Sequence, residues 1–351
     1  MNTPEMALIL GPNEDGEPGL LRVPLFISIA ATIYNEEQSF RNKGDLLEKY
    51  IEHQLSFDVR KDNRSDKRFA GRKWAFKTVE GECDRSEVRH SLTWLAGQLR
   101  RQNQVDLLIE KMQPSWLDSP AADRRWLIFS LTFVVIGGLI GGPIGGLIFG
   151  LISLIGPDDI QPVEGFRISM SCEVRRKILR SLKQWLTGGL IFGLTFGLTS
   201  GLPIGLIKGL ERNLKVQSTP NQGIWNSLQS AIGTTILSCP AAVILTMIGP
   251  VLIRVAEKHD WMDLIGIYIR NSPQFLPKGV FFALFIGISA GGGLACIKHL
   301  SLRIVLTQEK KIPWNYARFL NYCAERRLLQ RIGGRYRFIH RELLDHFGIE
   351  N

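Results

Sequence analysis

Charge is missing from four long stretches of this sequence: Trp126 to Pro157, Trp185 to Ile207, Leu228 to Ile253 and Gly279 to Ile297. Each reaches or approaches the roughly 20 apolar residues that a membrane-crossing helix needs. Four buried helices of this kind, close together, do not fit an ordinary soluble domain. No run carries an ionisable group at its middle, which argues against a pore or transporter, where such groups mark the path. Cysteine is scarce as well. Cys83, Cys172, Cys239, Cys296 and Cys323 show no CxxC and no metal spacing. That excludes a disulfide scaffold or zinc ribbon and fits reduced thiols. A secretory signal is also lacking, since Met1 to Gly19 is polar and acidic. The first apolar run is therefore expected to insert as an internal anchor.

Glycine is what these runs have instead. Gly189, Gly193, Gly197, Gly201, Gly205 and Gly209 recur every fourth residue. A second ladder, Gly138, Gly142, Gly146 and Gly150, is doubled by Gly137, Gly141 and Gly145. In water each glycine costs a helix roughly 1 kcal/mol relative to alanine. In a bilayer the helix must keep its own hydrogen bonds, and small residues four apart let helices approach closely. The ladders are thus expected to be helix-packing surfaces, at Gly189, Gly193, Gly197, Gly201 and Gly205 and at Gly138, Gly142 and Gly146. Pro143, Pro203 and Pro240 are tolerable kinks in this setting.

Hydrophilic flanks hide the apolar runs in the overall composition, with 45% hydrophobic residues and a mean hydropathy of +0.03. Residues 1–125 hold 19 Lys/Arg against 20 Asp/Glu, so the whole formal excess of +10 lies beyond them. Bases beside apolar runs are attracted by anionic headgroups. Arg175, Arg176, Lys177, Arg180 and Lys183, interleaved with Ile178, Leu179, Leu182 and Trp185, read as an interfacial amphipathic helix.

Before the runs, the proline-led segment Val23 to Tyr34 reads as a buried helix. Asp45 reads as the N-cap of a helix from Leu46 to Leu55, with Leu46, Leu47, Tyr50, Ile51 and Leu55 on one face. Ser56 to Cys83 is charged and aperiodic, and reads as a linker or long exposed loop. Ser86 opens a helix with Val88, Leu92, Leu95 and Leu99 aligned. Val105 to Met112 reads as a shorter helix stopped by Pro114. After the runs, Pro313 to Leu329 reads as an amphipathic helix. LLQRI and RYRFI flank Gly333-Gly334 as a β-hairpin, and Arg341 to Phe347 forms a last helix. Helix, hairpin, helix is the second half of a winged helix, and the helices before Trp126 supply a first half.

Several of these segments carry a family resemblance. PLFISIAATIY followed by GDLLEKYIEHQL resembles the end of the helical region in NACHT-family signal-transduction NTPases. LTWLAGQLRRQNQVDLLIEKMQPSWL, PNQGIWNSLQSA, IPWNYARFLNYCAERRLLQRIGG and RYRFIHRELLDHF resemble the C-terminal half of membrane-anchored bacterial NACHT proteins, common in cyanobacteria. Those proteins also carry runs similar to GLIFGLTFGLTSGL. The resemblance implies nucleotide-gated opening of a soluble module whose winged helix is tethered at the bilayer, and it makes Pro24 a remnant of a nucleotide-proximal position. The chain departs from the family at the decisive motif. A phosphate-binding loop needs GxxxxGK followed by Ser or Thr. The matching glycine spacing, Gly11 to Gly16, is followed by Glu17 and Pro18, and an acidic residue there repels phosphate. The chain is therefore expected to be a C-terminal piece without a nucleotide site, a catalytic centre or a cofactor of its own.

Two further clusters bear on partners. His340, Glu342 and His346 are not HExxH, and two histidines six apart on a helix point in different directions, so no metal is expected; His340 is expected to pack in the winged-helix core. Arg326, Arg327, Arg331, Arg335 and Arg337, with Tyr336 and Phe338 among them, form a basic cluster with the charge to contact anionic lipid or nucleic acid. Its place soon after an apolar run favours lipid over nucleic acid.

The resulting expectation is a mainly α membrane protein. About four glycine-rich transmembrane helices (near 126–156, 185–207, 228–253 and 279–299) lie within a 119–300 region. They separate the two halves, 86–118 and 301–351, of a cytoplasmic winged-helix-like domain. Residues 1–55 are a remnant of the NTPase helical region and 56–85 a charged linker. The expected setting is the inner (plasma) membrane, multi-pass, with both termini cytoplasmic. The expected partners are the bilayer, a NACHT nucleotide-binding core and a second copy through the glycine ladders. The competing reading is a membrane-bound winged-helix DNA-binding regulator.

Overall fold

The computed structural model describes residues 24–33, 42–59, 74–155, 160, 219–256 and 261–349, and these are mainly helical. They form two compact units. One combines the residues up to Leu107 with those from Lys310 onward, and the other runs from Leu108 to Glu309.

The first unit contains α1 (Pro24–Ile33), α2 (Lys43–Ser56) and α3 (Arg85–Arg101). The expected apolar faces are its core: Leu46, Leu47 and Ile51 of α2 and Leu92, Leu95 and Leu99 of α3 are buried. The N-cap of α2 is Asn42, not Asp45. The Asn42 side chain accepts the Asp45 N–H at 2.8 Å, because Lys43 and Gly44 are already helical. Asp84 caps α3 in the same way, accepting from the Ser86 N–H.

Val105 to Met112 is not the helix its composition suggests. Leu107 exchanges two backbone hydrogen bonds with Tyr336, at 2.6 and 2.9 Å, and Ile109–Lys111 is a single 3₁₀ turn. Leu107 is a single bridge residue, buried, while Val105 beside it lies in a bend and is exposed. A lone bridge to a distant strand wins over local propensity here.

From the far side of the chain come four elements: the α8 helix (Tyr316–Glu325), β1 (Leu329–Ile332), β2 (Arg335–Phe338) and α9 (Arg341–Ile349). The amphipathic helix is shorter than Pro313 to Leu329. It ends where Arg327 takes a left-handed φ of 55° and the Leu328 N–H returns to the Cys323 carbonyl, a C-terminal cap that usually employs glycine. The hairpin register pairs Leu329 with Phe338 and Ile332 with Arg335, and Gly333 supplies the positive φ of 62° at the turn.

The second unit contains α4 (Ser119–Ile155), α5 (Gln222–Ala256), α6 (Trp261–Ser289) and α7 (Gly293–Gln308). The first apolar run is not one straight helix. Gly142, at φ 65° and ψ −162°, occupies a region open essentially to glycine alone, and the helix doubles back there. The fourth run is broken as well. Gly292, at φ 99°, separates α6 from α7, and the two segments meet at a 65° bend. Among the described residues one helical stretch, Gln222–Ile244, is long and apolar enough to cross a membrane, or two if the bent pair Leu276–Ser289 and Gly293–Gln308 counts as one span. The run 185–207 and the basic segment 175–183 lie outside the described residues.

Candidate functional site

The α5 helix has its polarity reversed. Ser227, Ser230, Thr234 and Ser238 recur at helical spacing and are 0–1% exposed, whereas Ile232, Ile236 and Leu237 are 50–68% exposed. A water-soluble surface helix does the opposite. Three of these buried hydroxyls are satisfied within the helix: Ser227 donates to the Gly223 carbonyl at 2.9 Å, Thr234 to the Ser230 carbonyl at 2.7 Å and Ser238 to the Thr234 carbonyl at 2.8 Å, while the Ser230 hydroxyl has no hydrogen-bond partner among the described residues. Such bonds let a polar but small face pack with most of its donors paired.

Against this face lies a glycine stripe that the longer ladders overshadow. Gly279, Ala283, Gly287 and Gly291 are four apart on and just past α6, and all are buried. A Cβ on Gly279 would come within 2.6 Å of Val243 Cα. One on Gly291 would come within 2.8 Å of Thr234 Oγ1 and 2.9 Å of Ala231 Cα. The residue pairs run antiparallel, Gly279 opposite Val243 and Gly291 opposite Ala231. The close helix–helix contact is therefore real, but it sits at these residues.

The ladder on α4 does something else. A Cβ on Gly138 would meet nothing within 4 Å, and Gly142 is needed for its φ. Gly146 lies against Val134 and Gly138 of the same helix, and a Cβ on Gly145 would overlap the Gly137 carbonyl. These glycines let one helix fold against itself, and Gly145 also faces α6, since a Cβ there would lie 3.1 Å from the Phe281 ring. Gly189, Gly193, Gly197, Gly201 and Gly205 lie outside the described residues.

At one end of α5, Glu110 is fully buried and faces the backbone N–H groups of Asn221 and Gly223. Burial pushes its carboxyl above the ordinary glutamate value of 4.5, and those amides oppose the shift only in part. The unfolded chain therefore loses this proton first as pH rises. The stability contribution of Glu110 is greatest below 4.5 and falls as pH climbs through the higher folded value. Glu110→Gln, which keeps the neutral form, should leave thermal stability at pH 7 unchanged or raised, and should remove that part of the pH dependence. Thermal unfolding in detergent from pH 4 to pH 8 checks it, and a loss of stability at pH 7 would count against it.

In the first unit the basic cluster does not hold together as a surface. Arg326 is 4% exposed. It donates to the Gln54 carbonyl at 2.8 Å, to the Phe57 carbonyl and to Glu82 Oε2 at 2.5 Å, and its guanidinium lies 4.6 Å over the Tyr322 ring. It is an internal clasp, not a lipid or nucleic-acid contact. Tyr322 also donates to Glu82 at 3.2 Å, and burial raises its hydroxyl above the usual tyrosine range.

The end of the charged loop is held here too. The Ala75 N–H reaches the Glu325 carboxylate at 2.9 Å, and Arg318 donates to the Ala75 carbonyl at 2.5 Å while covering Phe76. Residues 74–83 are thus tied to α8 and are no free linker.

The other arginines are exposed or half-buried. Arg331 donates to Asn321 and to the Gly333 carbonyl, Arg335 faces Asp106 at 3.5 Å, and Arg337 donates twice to Gln330. Arg327 is exposed, and its carbonyl accepts from Tyr50. His340 does not pack in a core: it is half-buried, and its Nδ1 accepts the Glu342 N–H at the start of α9. Pro24 is exposed in the first turn of α1. Among the described residues no group of three or more His, Cys, Asp or Glu side chains is placed to hold a metal. In comparisons with known proteins, no family model, curated protein or solved structure matches the chain.

Proposed function

We propose that the chain is the membrane-anchored C-terminal module of a NACHT-type signal-transduction NTPase, with no nucleotide site of its own. The observation that carries the membrane part is the reversal on α5, with hydroxyls inside and Ile232, Ile236 and Leu237 outside. In hydrocarbon this arrangement costs nothing, because lipid is as apolar as the exposed side chains and helices then associate through small residues. Exposed Trp126 and Trp225, each at the start of an apolar stretch, fit the aromatic belt at a bilayer surface.

The soluble part reads as a winged-helix-like domain. The bridge at Leu107, the hairpin and the α3 and α8 helices supply its strands and helices, from sequence on both sides of the apolar region. This module would be held at the inner membrane, both termini cytoplasmic, and would transmit the opening and closing of a separate nucleotide-binding core. The NACHT assignment itself rests on the sequence resemblance.

The competing reading, a membrane-bound DNA-binding regulator, is disfavoured by the positions of its arginines. Arg326 is buried, Arg318 is held by Ala75, and Arg331, Arg335 and Arg337 have partners within their own unit.

Purification of the chain from its native membranes in mild detergent separates the two. Co-purification of a polypeptide bearing a GxxxxGK loop, with ATP binding found in the complex and not in the chain alone, is the expected result. Salt-sensitive DNA binding by the chain with no such partner would favour the regulator.

A further inference from the structure

We infer that α4 is a re-entrant insert: a helical hairpin that enters the bilayer, turns at Gly142 and leaves by the same face, with lipid acyl chains against its outer side. This rests on the membrane reading above and adds to it that the first apolar run makes no crossing.

The fold-back is fixed at both ends. At the tip, Gly142 provides the backbone reversal, and a Cβ on Gly150 would lie 3.1 Å from Val134 Cγ2 on the opposite arm. At the open end, the Gln113 side-chain amide pairs with the main chain of Ile160, donating to its carbonyl at 3.0 Å and accepting its N–H at 2.9 Å. Gln113 precedes α4 and Ile160 follows it, and Ile160 is 1% exposed. The chain therefore returns to where it started.

Length agrees with this. From Trp126 to Gly141 the entering arm rises about 24 Å at 1.5 Å per residue. That stops short of a hydrocarbon core of about 30 Å. The polar end is marked by Trp126, by buried Arg125 and by the Arg124–Glu309 ion pair.

Leu127, Leu131, Val135 and Leu139 stand on the outer side at 49–83% exposure. They are purely aliphatic and present no donor or acceptor that could specify a protein partner, so acyl chains are the occupant this face fits. Glycine is required where the arms approach most closely, at Gly145, whose Cβ would overlap the Gly137 carbonyl, and at Gly146, whose Cβ would lie 3.2 Å from the Val134 carbonyl oxygen.

Disulfide trapping in native membranes tests the fold-back on the full chain. Val134→Cys with Gly150→Cys should cross-link within one molecule. The same two positions in a straight helix would be about 24 Å apart, far beyond disulfide reach. If that variant does not accumulate, spin labels on Leu131→Cys and Leu147→Cys, both exposed, replace it: a straight helix puts these positions about 24 Å apart, and the hairpin brings them clearly closer. No cross-link in folded protein, or a label separation of the straight helix, overturns the hairpin while leaving the α5 anchor standing.

The occupant is read from a bimane on Leu139→Cys in bilayers containing acyl-brominated lipid. Strong quenching by the bromolipid, with none by aqueous iodide, is expected. Iodide quenching would put the hairpin in water, and protection from bromolipid together with Leu139→Cys disulfide dimers would put a second copy there. Either result overturns the lipid contact.

Discussion

Gly287→Leu should abolish folded protein, while Gly138→Ala should leave it intact. A Cβ at Gly287 would overlap Thr235 Oγ1 outright and lie 2.7 Å from the Ala231 carbonyl oxygen. The carbonyl belongs to the α5 backbone and cannot rotate away. The remaining three carbons of leucine have nowhere to go, so α5 and α6 must separate. Overpacking of a core costs about 1–3 kcal/mol when neighbours can adjust, and more when they are backbone. Separation also forfeits the close dispersion contacts along Gly279, Ala283 and Gly291. Gly138 is the control, because a Cβ there meets nothing within 4 Å. Yield of monodisperse protein in detergent and its thermal midpoint report both effects. If Gly287→Leu matches the parent, the α5–α6 contact is not close.

Arg326→Met should be the most damaging substitution in the first unit. Arg326 and Glu82 side chains are 5% and 12% exposed, so each depends on the other to be buried as an ion. Removing the cation leaves the Glu82 carboxylate, which also accepts from Tyr322, stranded, and leaves the Gln54 and Phe57 carbonyls at the end of α2 without their donor. Breaking a buried pair from one side costs about 3–5 kcal/mol. For a unit of this size that is a fall in thermal midpoint of roughly 10 °C. Arg326→Lys should recover only part of the loss, because an ammonium cannot span three acceptors as a guanidinium does. Adding Glu82→Gln to Arg326→Met should restore stability relative to Arg326→Met alone, since it removes the stranded charge. Arg331→Met, at the exposed hairpin, should change the midpoint by less than about 1 kcal/mol equivalent. Limited proteolysis and thermal unfolding in detergent read all four variants. A neutral Arg326→Met would refute the clasp.

Local signals in the sequence account for much of the first unit. The spacing of Leu46, Leu47, Tyr50, Ile51 and Leu55, and of Val88, Leu92, Leu95 and Leu99, locates α2 and α3, because helical periodicity is written in neighbours. Gly333-Gly334 between two alternating segments locates the hairpin for the same reason. What the sequence hides is non-local. A linear count of arginines groups Arg326 with Arg331 and Arg335, whereas its partner Glu82 lies 244 residues away. Val105 to Met112 looks helical until Tyr336, far along the chain, offers Leu107 a bridge. The Gly141-Gly142-Pro143 break lets the first run either cross or bend and re-enter, and its length favours a plain crossing; what decides between them, Gln113 holding Ile160, is not a local signal. The stripe at Gly279, Ala283, Gly287 and Gly291 has the same four-residue spacing as the two long ladders, so spacing alone does not single it out.

Impermeant maleimide applied to sealed membrane vesicles of known orientation, with single cysteines at Ser86, Arg341 and Ile236, bears on the whole arrangement at once. Ser86 and Arg341 are exposed on opposite sequence flanks of the apolar region but belong to one compact unit, and Ile236 is 68% exposed on α5. Ser86→Cys and Arg341→Cys should react from the cytoplasmic side alone, and Ile236→Cys should react from neither side until detergent is added. Reaction of Ile236→Cys from water, or of Ser86→Cys and Arg341→Cys from opposite sides, would contradict the proposed membrane anchoring.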